Sequence, residues 1–517
     1  MIRRFAALCL ALLAAPAAAG WKEASSTHFL VYTQGSGDSA RATAAELEKY
    51  LYVVRALSGS LRKPDSPLKL RVLLMPDIDG VQSMEPYPGG GVAGFWTANA
   101  RGAVFVGPRN DAGTGPYGLS TRQVMFHELT HHFARQYFPA AYPVWYQEGL
   151  AEYYGSIRIG ADNVASMGAL QEGRLRGLQG NGWIPVDRLL TAHGYGDVGD
   201  VGLLYTEGWA LVHYLSMTDG RKGQLGAYLK AVNAGVPYRQ AATDAFGDLG
   251  KLDGELDAYA HRQRFQELVL PFRQLEPGPI AVRALPPAED ALLLSDLHLT
   301  TGVPQRDIGA FADRVEAIAR RYPDDPYALS VLADTERAAG RGASETAAVT
   351  HWLALAPTDG FALAAAARSE TDALIAARST DEAAWSAVRR RLVQASKAAP
   401  DQPRILSAYY ESYAARGSLP PEPAQNALYH AFEVLPQDDE LRQRLAGDFE
   451  ARGMIDDAIA IIKPIAYAIS EKEGSPKDKE RRDAQREKYR LAGEKVGETP
   501  REMLGRLEKK RAAKPAT

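Results

Sequence analysis

The segment F-H-E-L-T-H-H, residues 126–132, brings histidines and a glutamate together at a spacing that suits metal chemistry. His127 and His131 are four positions apart, about one helical turn, so both imidazoles can reach one ion from the same face of a helix. Glu128 stands beside the first histidine and can direct its carboxylate to a water on that ion, as a general base requires. The pattern therefore predicts a metal site that activates water.

Two further carboxylates follow on the next predicted helix. Glu148 comes seventeen positions after His131, beyond a proline-bounded turn, so two antiparallel helices can bring its carboxylate to the open side of the imidazoles. Zinc held by two histidines and one glutamate keeps its fourth position for water. Glu152, one turn later, can accept a hydrogen bond from the second ring nitrogen of a ligand histidine. The alternative, a pair of carboxylates that only face solvent, fits poorly with the aromatic residues of W-Y-Q-E-G-L-A-E-Y-Y.

The motif H-E-L-T-H followed by W-Y-Q-E-G-L-A-E-Y resembles the gluzincin class of zinc metallopeptidases, which includes thermolysin and the zinc aminopeptidases. The resemblance implies one zinc ion per chain, bound by His127, His131 and Glu148. It also implies that Glu128 activates the water and that Glu152 supports the metal ligands from behind. What the resemblance implies is therefore a zinc-dependent hydrolysis of peptide bonds.

A later segment, L-L-Y-T-E-G-W-A-L-V-H-Y-L, is similar to the Y-x-x-G-x-A-L helix of the zinc aminopeptidases. The similarity implies that the hydroxyl of Tyr205 donates a hydrogen bond to the oxyanion of the tetrahedral intermediate. The alternative is a tyrosine that only packs the start of a helix. The resemblance covers about residues 21 to 262. The G-A-M-E-N signature of the exopeptidases is absent, and G-V-A-G-F-W-T-A-N-A occupies the comparable region, so endo- and exopeptidase activity both stay open.

The residues before the histidine motif are predicted to form a small sheet with one helix. H-F-L-V-Y-T-Q and L-K-L-R-V-L-L-M-P are β-branched or aromatic-rich runs typical of strands, and a helical pattern lies between them. G-V-A-G-F-W-T-A-N-A-R-G-A-V-F-V-G-P predicts a hairpin that turns from Asn99 to Gly102. We expect an edge strand near G-A-V-F-V-G-P to align an extended peptide by backbone pairing.

The two helices that carry the chemical residues have start and stop signals. Ser120 and Gln123 form a capping-box pattern, and Pro139 requires the first helix to end before it. Pro143 suits the first turn of the next helix, and Gly155 suits its end. The H-E-x-x-H motif is therefore predicted in the middle of one helix and both later glutamates on the following one.

Most of the remaining chain has a helical pattern, apart from a polar, glycine-rich stretch at residues 172–203. Beyond a proline-rich passage at residues 267–288, prolines recur with spacings of 36, 34, 43 and 36 residues, at Pro287, Pro323, Pro357, Pro400 and Pro436. Each proline ends one helix and an acidic or polar cap starts the next, which resembles tetratricopeptide (TPR) repeats. An irregular helical bundle is the alternative.

Composition and the first residues indicate a compartment and exclude one class of partner. With 46% hydrophobic residues, 24% charged residues and a net charge of −3, the chain has no basic surplus for nucleic acid. The first nineteen residues contain two arginines, an apolar run and then small residues, which predicts a cleaved signal peptide. The single cysteine, Cys9, lies inside it, so metal ligands must be histidines and carboxylates. We expect a periplasmic or secreted protein with no transmembrane segment in the mature chain.

Together these observations predict an α+β protein with a signal peptide (1–19), a gluzincin-like zinc metallopeptidase domain (20–270), a TPR-like helical-repeat domain (271–470) and a charged helical tail (471–517). The metallopeptidase domain combines a small N-terminal sheet with a helical, zincin-like catalytic part, and the repeat domain is all-α. The predicted substrate is a peptide or protein, and the repeats offer a surface for a protein partner. Two alternatives stay open: a non-catalytic interaction protein on a relic peptidase scaffold, and a zinc hydrolase of a non-peptide amide such as a cell-wall crosslink.

Overall fold

A computed structural model describes residues 20–86, 92–111, 120–160, 162–169, 180, 182–262, 264–272, 275–467 and 497–513. The predicted signal peptide lies outside these ranges, as does most of the predicted charged tail. Two β-sheets and a larger set of helices make up the described residues, which confirms the predicted α+β class. Within those ranges, every helix is too short or too polar to cross a lipid bilayer.

The strands of the described residues are β1 (Lys22–Ser25), β2 (Phe29–Thr33), β3 (Leu70–Met75), β4 (Phe95–Asn99), β5 (Gly102–Pro108), β6 (Arg158–Ile159), β7 (Val164–Met167), β8 (Leu268–Pro271) and β9 (Ala281–Ala284). Six of them form one sheet in the order β4-β5-β3-β2-β1-β9, and β6, β7 and β8 form a second sheet. In the larger sheet β2, β3 and β5 run parallel, while the outer pairs are antiparallel. Parallel neighbours need a crossover connection, and a long helix after β2 supplies it.

The predicted strands and hairpin are present, and an edge strand lies near G-A-V-F-V-G-P, as expected. H-F-L-V-Y-T-Q contains β2, L-K-L-R-V-L-L-M-P contains β3, and the hairpin turns between Asn99 and Gly102. G-A-V-F-V-G-P itself forms β5, which pairs with β3 on one side and with β4 on the other. Both rows of its backbone groups are used within the sheet, so β4 is the edge strand at this side.

The helices of the first part of the chain are α1 (Gly37–Leu57), α2 (Ile78–Ser83), α3 (Thr121–Tyr137), α4 (Val144–Gly155), α5 (Val186–Thr191), α6 (Tyr195–Val198), α7 (Val201–Met217), α8 (Gln224–Asn233), α9 (Tyr238–Phe246) and α10 (Leu249–Ala260), with a 3₁₀ turn at Asp219–Arg221. The polar stretch at residues 172–203 was predicted as a break in the helical pattern. It nevertheless contains α5, α6 and the start of α7, while residues 172–179 and 181 lie outside the described ranges. Short helices of four to six residues carry too little periodicity for the sequence to reveal them.

The repeat region consists of α11 (Pro287–Thr301), α12 (Ile308–Ala319), α13 (Pro326–Ala338), α14 (Gly342–Leu355), α15 (Gly360–Ala376), α16 (Glu382–Ala398), α17 (Pro403–Ala414), α18 (Glu422–Val434), α19 (Asp439–Ala451) and α20 (Ile455–Ala466), and α21 (Pro500–Ala512) follows it. The first helix of each pair begins at or three residues after one of the recurring prolines, as the spacing predicts. Asp325, Asp359 and Asp438 cap three of these helices with their side chains. The predicted succession of helix pairs is confirmed.

The repeat region contacts the first part of the chain at both of its ends. At its start, Leu293 and Leu297 of α11 join a core cluster with Leu73 of β3 and Val104 of β5. At its end, α17 to α21 share one buried cluster with α1, α3 and α4. Strand β9, which the sequence did not predict, also adds a segment from beyond residue 270 to the edge of the larger sheet. The division into domains at residue 270 stays a prediction.

Candidate metal centre

Helix α3 places His127 and His131 toward a cleft because its opposite face is buried. Ser120 caps the helix, since its Oγ accepts a hydrogen bond from the backbone N–H of Gln123 at 3.3 Å. The helix ends at Tyr137, two residues before the proline that cannot continue it. Phe126 and Leu129 are fully buried in the core behind it. The remaining face, which carries H-E-x-x-H, lines the cleft.

Helix α4 begins after Pro143 and ends at Gly155, as the sequence predicts, and it crosses α7 at very short range. A Cβ atom at Gly149 would lie 2.3 Å from the carbonyl oxygen of Gly208, and one at Gly208 would lie 2.7 Å from the carbonyl oxygen of Trp145. Only glycine permits this backbone approach. The crossing places Glu148, which precedes Gly149, near Tyr205, which lies one turn before Gly208.

Three ligand atoms converge where α3 and α4 face each other. Nε2 of His127 lies 3.3 Å from Nε2 of His131 and 3.2 Å from Oε2 of Glu148. The third side of this triangle, from Nε2 of His131 to Oε2 of Glu148, measures 3.6 Å. Around a tetrahedral zinc with bonds of about 2.0–2.2 Å, ligand atoms are separated by about 3.3–3.6 Å. The residues present therefore fit a zinc ion in both donor type and spacing.

Carboxylates on two sides set the protonation of His127. Its Nδ1 lies 3.2 Å from Oε1 of Glu152, so an Nδ1–H directed to that carboxylate leaves the Nε2 lone pair for a metal. Burial by itself lowers the pKa of His127. The neighbouring carboxylates of Glu148 and Glu152 outweigh burial and raise this pKa to about 10. Burial opposes ionisation of Glu148, but the adjacent imidazoles outweigh it and hold the pKa of that carboxyl below its usual range. The cluster thus attracts a cation, which is a proton when no metal is bound.

The two residues predicted to take part in the chemistry line the same cleft. Glu128 and Tyr205 both face it, and the ring of Tyr205 meets that of His127 edge to face at a centroid distance of 5.6 Å. Burial and the nearby carboxylate of Glu148 raise the pKa of the Tyr205 phenol, which therefore keeps its proton as a hydrogen-bond donor. The roles of both residues stay predictions.

The sequence did not single out Tyr195, which belongs to this cluster. Its hydroxyl donates a hydrogen bond of 2.7 Å to Oε1 of Glu148, the carboxylate oxygen that is turned away from the histidines. Tyr195 stands at the start of the four-residue helix α6, in the polar, glycine-rich stretch. No periodic pattern there relates it to a residue 47 positions earlier.

The cleft has a volume of about 390 Å³, and several parts of the chain line it. Phe95, Trp96 and Thr97 of the edge strand β4 form one wall, and α3 and α4 carry the ligand cluster on the other. Pro464 of α20 contributes from the repeat region. The repeat region also contacts this lining, where Arg135 of α3 pairs with Asp439 of α19 and lies over the ring of Trp96.

Comparisons with known proteins concern the repeat region. No protein-family model matches the chain, and no curated protein matches it. The chain is similar to the solved structure of TTC0263, a thermophilic TPR protein of Thermus thermophilus, with 21% identity and a TM-score of 0.29 over 35% of this chain and 91% of that chain. It is also similar to MamA, with 15% identity and a TM-score of 0.25 over 32% of this chain and 90% of that chain.

The helix pairs described above define the repeat region by themselves. The resemblance of the first part of the chain to gluzincins stays a prediction.

Proposed function

We propose that this protein is a zinc-dependent hydrolase that cleaves peptide bonds. The observation that carries the proposal is the triangle of His127 Nε2, His131 Nε2 and Glu148 Oε2, with sides of 3.2–3.6 Å, on the wall of a substrate-sized cleft. These three residues would hold the zinc ion, which when bound polarises the substrate carbonyl and lowers the pKa of a bound water.

The remaining residues supply proton transfer and charge stabilisation. Glu128 takes a proton from the attacking water as the water oxygen adds to the carbonyl carbon, and it returns that proton to the amine nitrogen as the C–N bond breaks. Tyr205 donates its hydroxyl hydrogen bond to the carbonyl oxygen as that oxygen gains negative charge. Glu152 keeps the ring of His127 in one tautomer through its contact with Nδ1.

An extended peptide fits this cleft because the edge strand β4 lies along it. The outer backbone groups of β4 lack a strand partner within the described residues, since this strand is last in the sheet order. A substrate strand that pairs with β4 would gain main-chain hydrogen bonds with little dependence on its sequence. This pairing would present successive peptide groups to the ligand cluster.

Metal analysis and a cleavage profile test the proposal together. We expect one zinc ion per purified full-length chain, a strong loss of zinc in Glu148→Ala, and fragments from a peptide library that disappear when a chelator is added. Zinc-free protein, or cleavage that a chelator leaves unchanged, would contradict it. Peptidoglycan fragments in the same assay test the third reading, a zinc hydrolase of a non-peptide amide, which uses the same residues.

A second candidate is a non-catalytic interaction protein, which the helix pairs of the repeat region favour because such arrays expose extended binding surfaces. On this reading the chain binds a protein partner and releases no fragments in either assay. A zinc-loaded protein that binds peptides without cutting them would support this candidate. A location outside the cytoplasm, expected from residues 1–19, remains part of both proposals.

A further inference from the structure

The carboxylate of Glu148 uses its two oxygens in two different ways. Oε2 faces Nε2 of both histidines at 3.2 and 3.6 Å, while Oε1 accepts the hydrogen bond from Tyr195 at 2.7 Å. The side chain is almost completely buried, with 2% of its surface exposed. An ionised carboxylate can rotate to offer both oxygens to a metal unless one of them is held elsewhere. The hydrogen bond from the phenol of Tyr195 holds Oε1 in this way.

The direction of this hydrogen bond follows from the chemistry of the groups. An ionised carboxylate only accepts hydrogen bonds, so the single O–H of Tyr195 must point at Glu148. Oε1 of Glu148 is thereby occupied, and Oε2 faces the histidines.

Local contacts hold α6 in place, and with it the ring of Tyr195. The carboxylate of Asp197 accepts a hydrogen bond from the backbone N–H of His193 at 2.8 Å. The side chain of Arg188 donates to the carbonyl of Asp197 at 2.7 Å, which ties α6 to α5. Val198 is buried in the main core cluster, and the ring of Tyr195 packs against that cluster. The phenol is therefore positioned before any ligand binds.

We propose that Tyr195 is a positioning residue of the metal centre, an inference that rests on the proposed zinc function. By holding Oε1, it would leave Oε2 of Glu148 as the oxygen offered to a bound zinc ion. Tyr195 would act on the metal centre through Glu148.

Zinc affinity measured by competition with a chelating indicator tests the proposal on the full-length chain. Tyr195→Phe removes the hydroxyl and keeps the ring, and we expect it to weaken zinc binding about 10- to 100-fold, as is usual when a group that orients a metal ligand is lost. Tyr214→Phe is the matched control, because it also removes a hydrogen bond from tyrosine to glutamate, the 2.9 Å bond to Glu255, outside the cluster. We expect its affinity to stay at the wild-type value.

Two further measurements separate positioning from general damage. In the cobalt-substituted protein, Tyr195→Phe should reduce the visible absorption intensity, because a carboxylate that binds through both oxygens raises the coordination number above four. Tyr195→His, which keeps an N–H donor, should recover part of the zinc affinity. Thermal unfolding of the metal-free variants checks that each one folds.

The outcomes distinguish this inference from the proposed function. Wild-type affinity in a folded Tyr195→Phe, or equal losses in Tyr195→Phe and Tyr214→Phe, would overturn the positioning role alone. If His131→Ala binds zinc as tightly as the wild-type chain does, the proposed metal centre is overturned, and this inference with it.

Discussion

Two buried carboxylates, Glu148 in the cleft and Asp334 in the repeat region, are surrounded by nitrogen atoms in two different ways. Asp334 accepts hydrogen bonds from three guanidinium groups, those of Arg101, Arg368 at 3.0 Å and Arg404 at 2.8 Å. Guanidinium groups keep their charge and only donate, so they cannot coordinate a metal cation. Glu148 instead faces imidazoles, which can give up a proton and coordinate a cation.

The difference shows which buried charge in this molecule indicates a function. Arg101 stands in the turn between β4 and β5, whereas Arg368 and Arg404 belong to α15 and α17. The Asp334 cluster therefore fastens the hairpin that carries the edge strand of the cleft to the repeat region. It is a structural joint, and the Glu148 cluster is a candidate binding site, although both are buried and charged.

Removal of the proposed general base should have the largest effect. Glu128→Gln keeps the size and polarity of the side chain but cannot accept a proton, so turnover should fall by about 10²- to 10⁴-fold. Zinc affinity should stay within about threefold of wild type, since the ligands are untouched. Steady-state kinetics on zinc-loaded protein and a zinc titration give the two values. Unchanged turnover would show that Glu128 is not the base.

Loss of the Asp334 cluster should lower the free energy of unfolding and leave the zinc affinity unchanged. Asp334→Asn removes the carboxylate that three guanidinium groups share, of which that of Arg101 also contacts Asp296, and breaking a buried ion pair in this way costs about 3–5 kcal/mol. Chemical denaturation should show that loss, and the zinc affinity of the folded variant should equal that of wild type. A parallel fall in zinc affinity would mean that the two clusters are coupled, and the contrast drawn above would fail.

A substitution at the close contact between α4 and α7 should cause a smaller loss of stability, and it should also weaken zinc binding. Gly208→Ala places a methyl group against the carbonyl of Trp145, and overpacking of this kind costs about 1–3 kcal/mol. The displacement of α4 should also weaken zinc binding, because Glu148 moves with it. Gly254→Ala in α10, where nothing lies within 4 Å, is the control and should stabilise by about 0.5–1 kcal/mol. Equal stability of both variants would argue against the close crossing.

The two regions should respond to pH in opposite directions. Burial raises the pKa of Glu207 in α7 to about 8, so the folded state favours the protonated carboxyl. The stability that this preference contributes is lost as the pH rises from about 4.3 to 8. Although burial opposes ionisation of Asp334, its arginine neighbours hold its pKa well below the usual range. Its contribution is therefore present above about pH 4 and is lost as the pH falls further. Urea unfolding across this range measures both effects, and each slope should flatten in Glu207→Gln and Asp334→Asn respectively.

The parts of the site that the sequence predicted are those with local signals. His127 and His131 are related by one helical turn, and Glu148 and Glu152 by another, so their placement needs only the helix period and the prolines between the helices. The repeat region was predictable for the same reason, because each helix pair begins near a proline. These relations depend only on residues that lie close together in the sequence.

The parts that the sequence missed depend on contacts between distant stretches. Tyr195 meets Glu148 only because α6 is placed beside α4, and nothing in its own segment indicates this. The sequence indicated an edge strand near G-A-V-F-V-G-P but not which strand of the hairpin it is, because the hydrophobic pattern identifies a strand without identifying its neighbours. Strand β9 is short and largely exposed, so it has almost no pattern of its own.

The contribution of α20 to the cleft has a consequence for how the protein is made. Gln147, next to a proposed ligand, donates to the carbonyl of Tyr467 across 320 residues of sequence, and Pro464 lies on the same cleft. If the chain is exported, as residues 1–19 predict, α3 and α4 emerge across the membrane before α20, so the ligand triangle can assemble while one side of the cleft is still missing. During that interval an ion can reach the nascent centre from a direction that the finished protein obstructs.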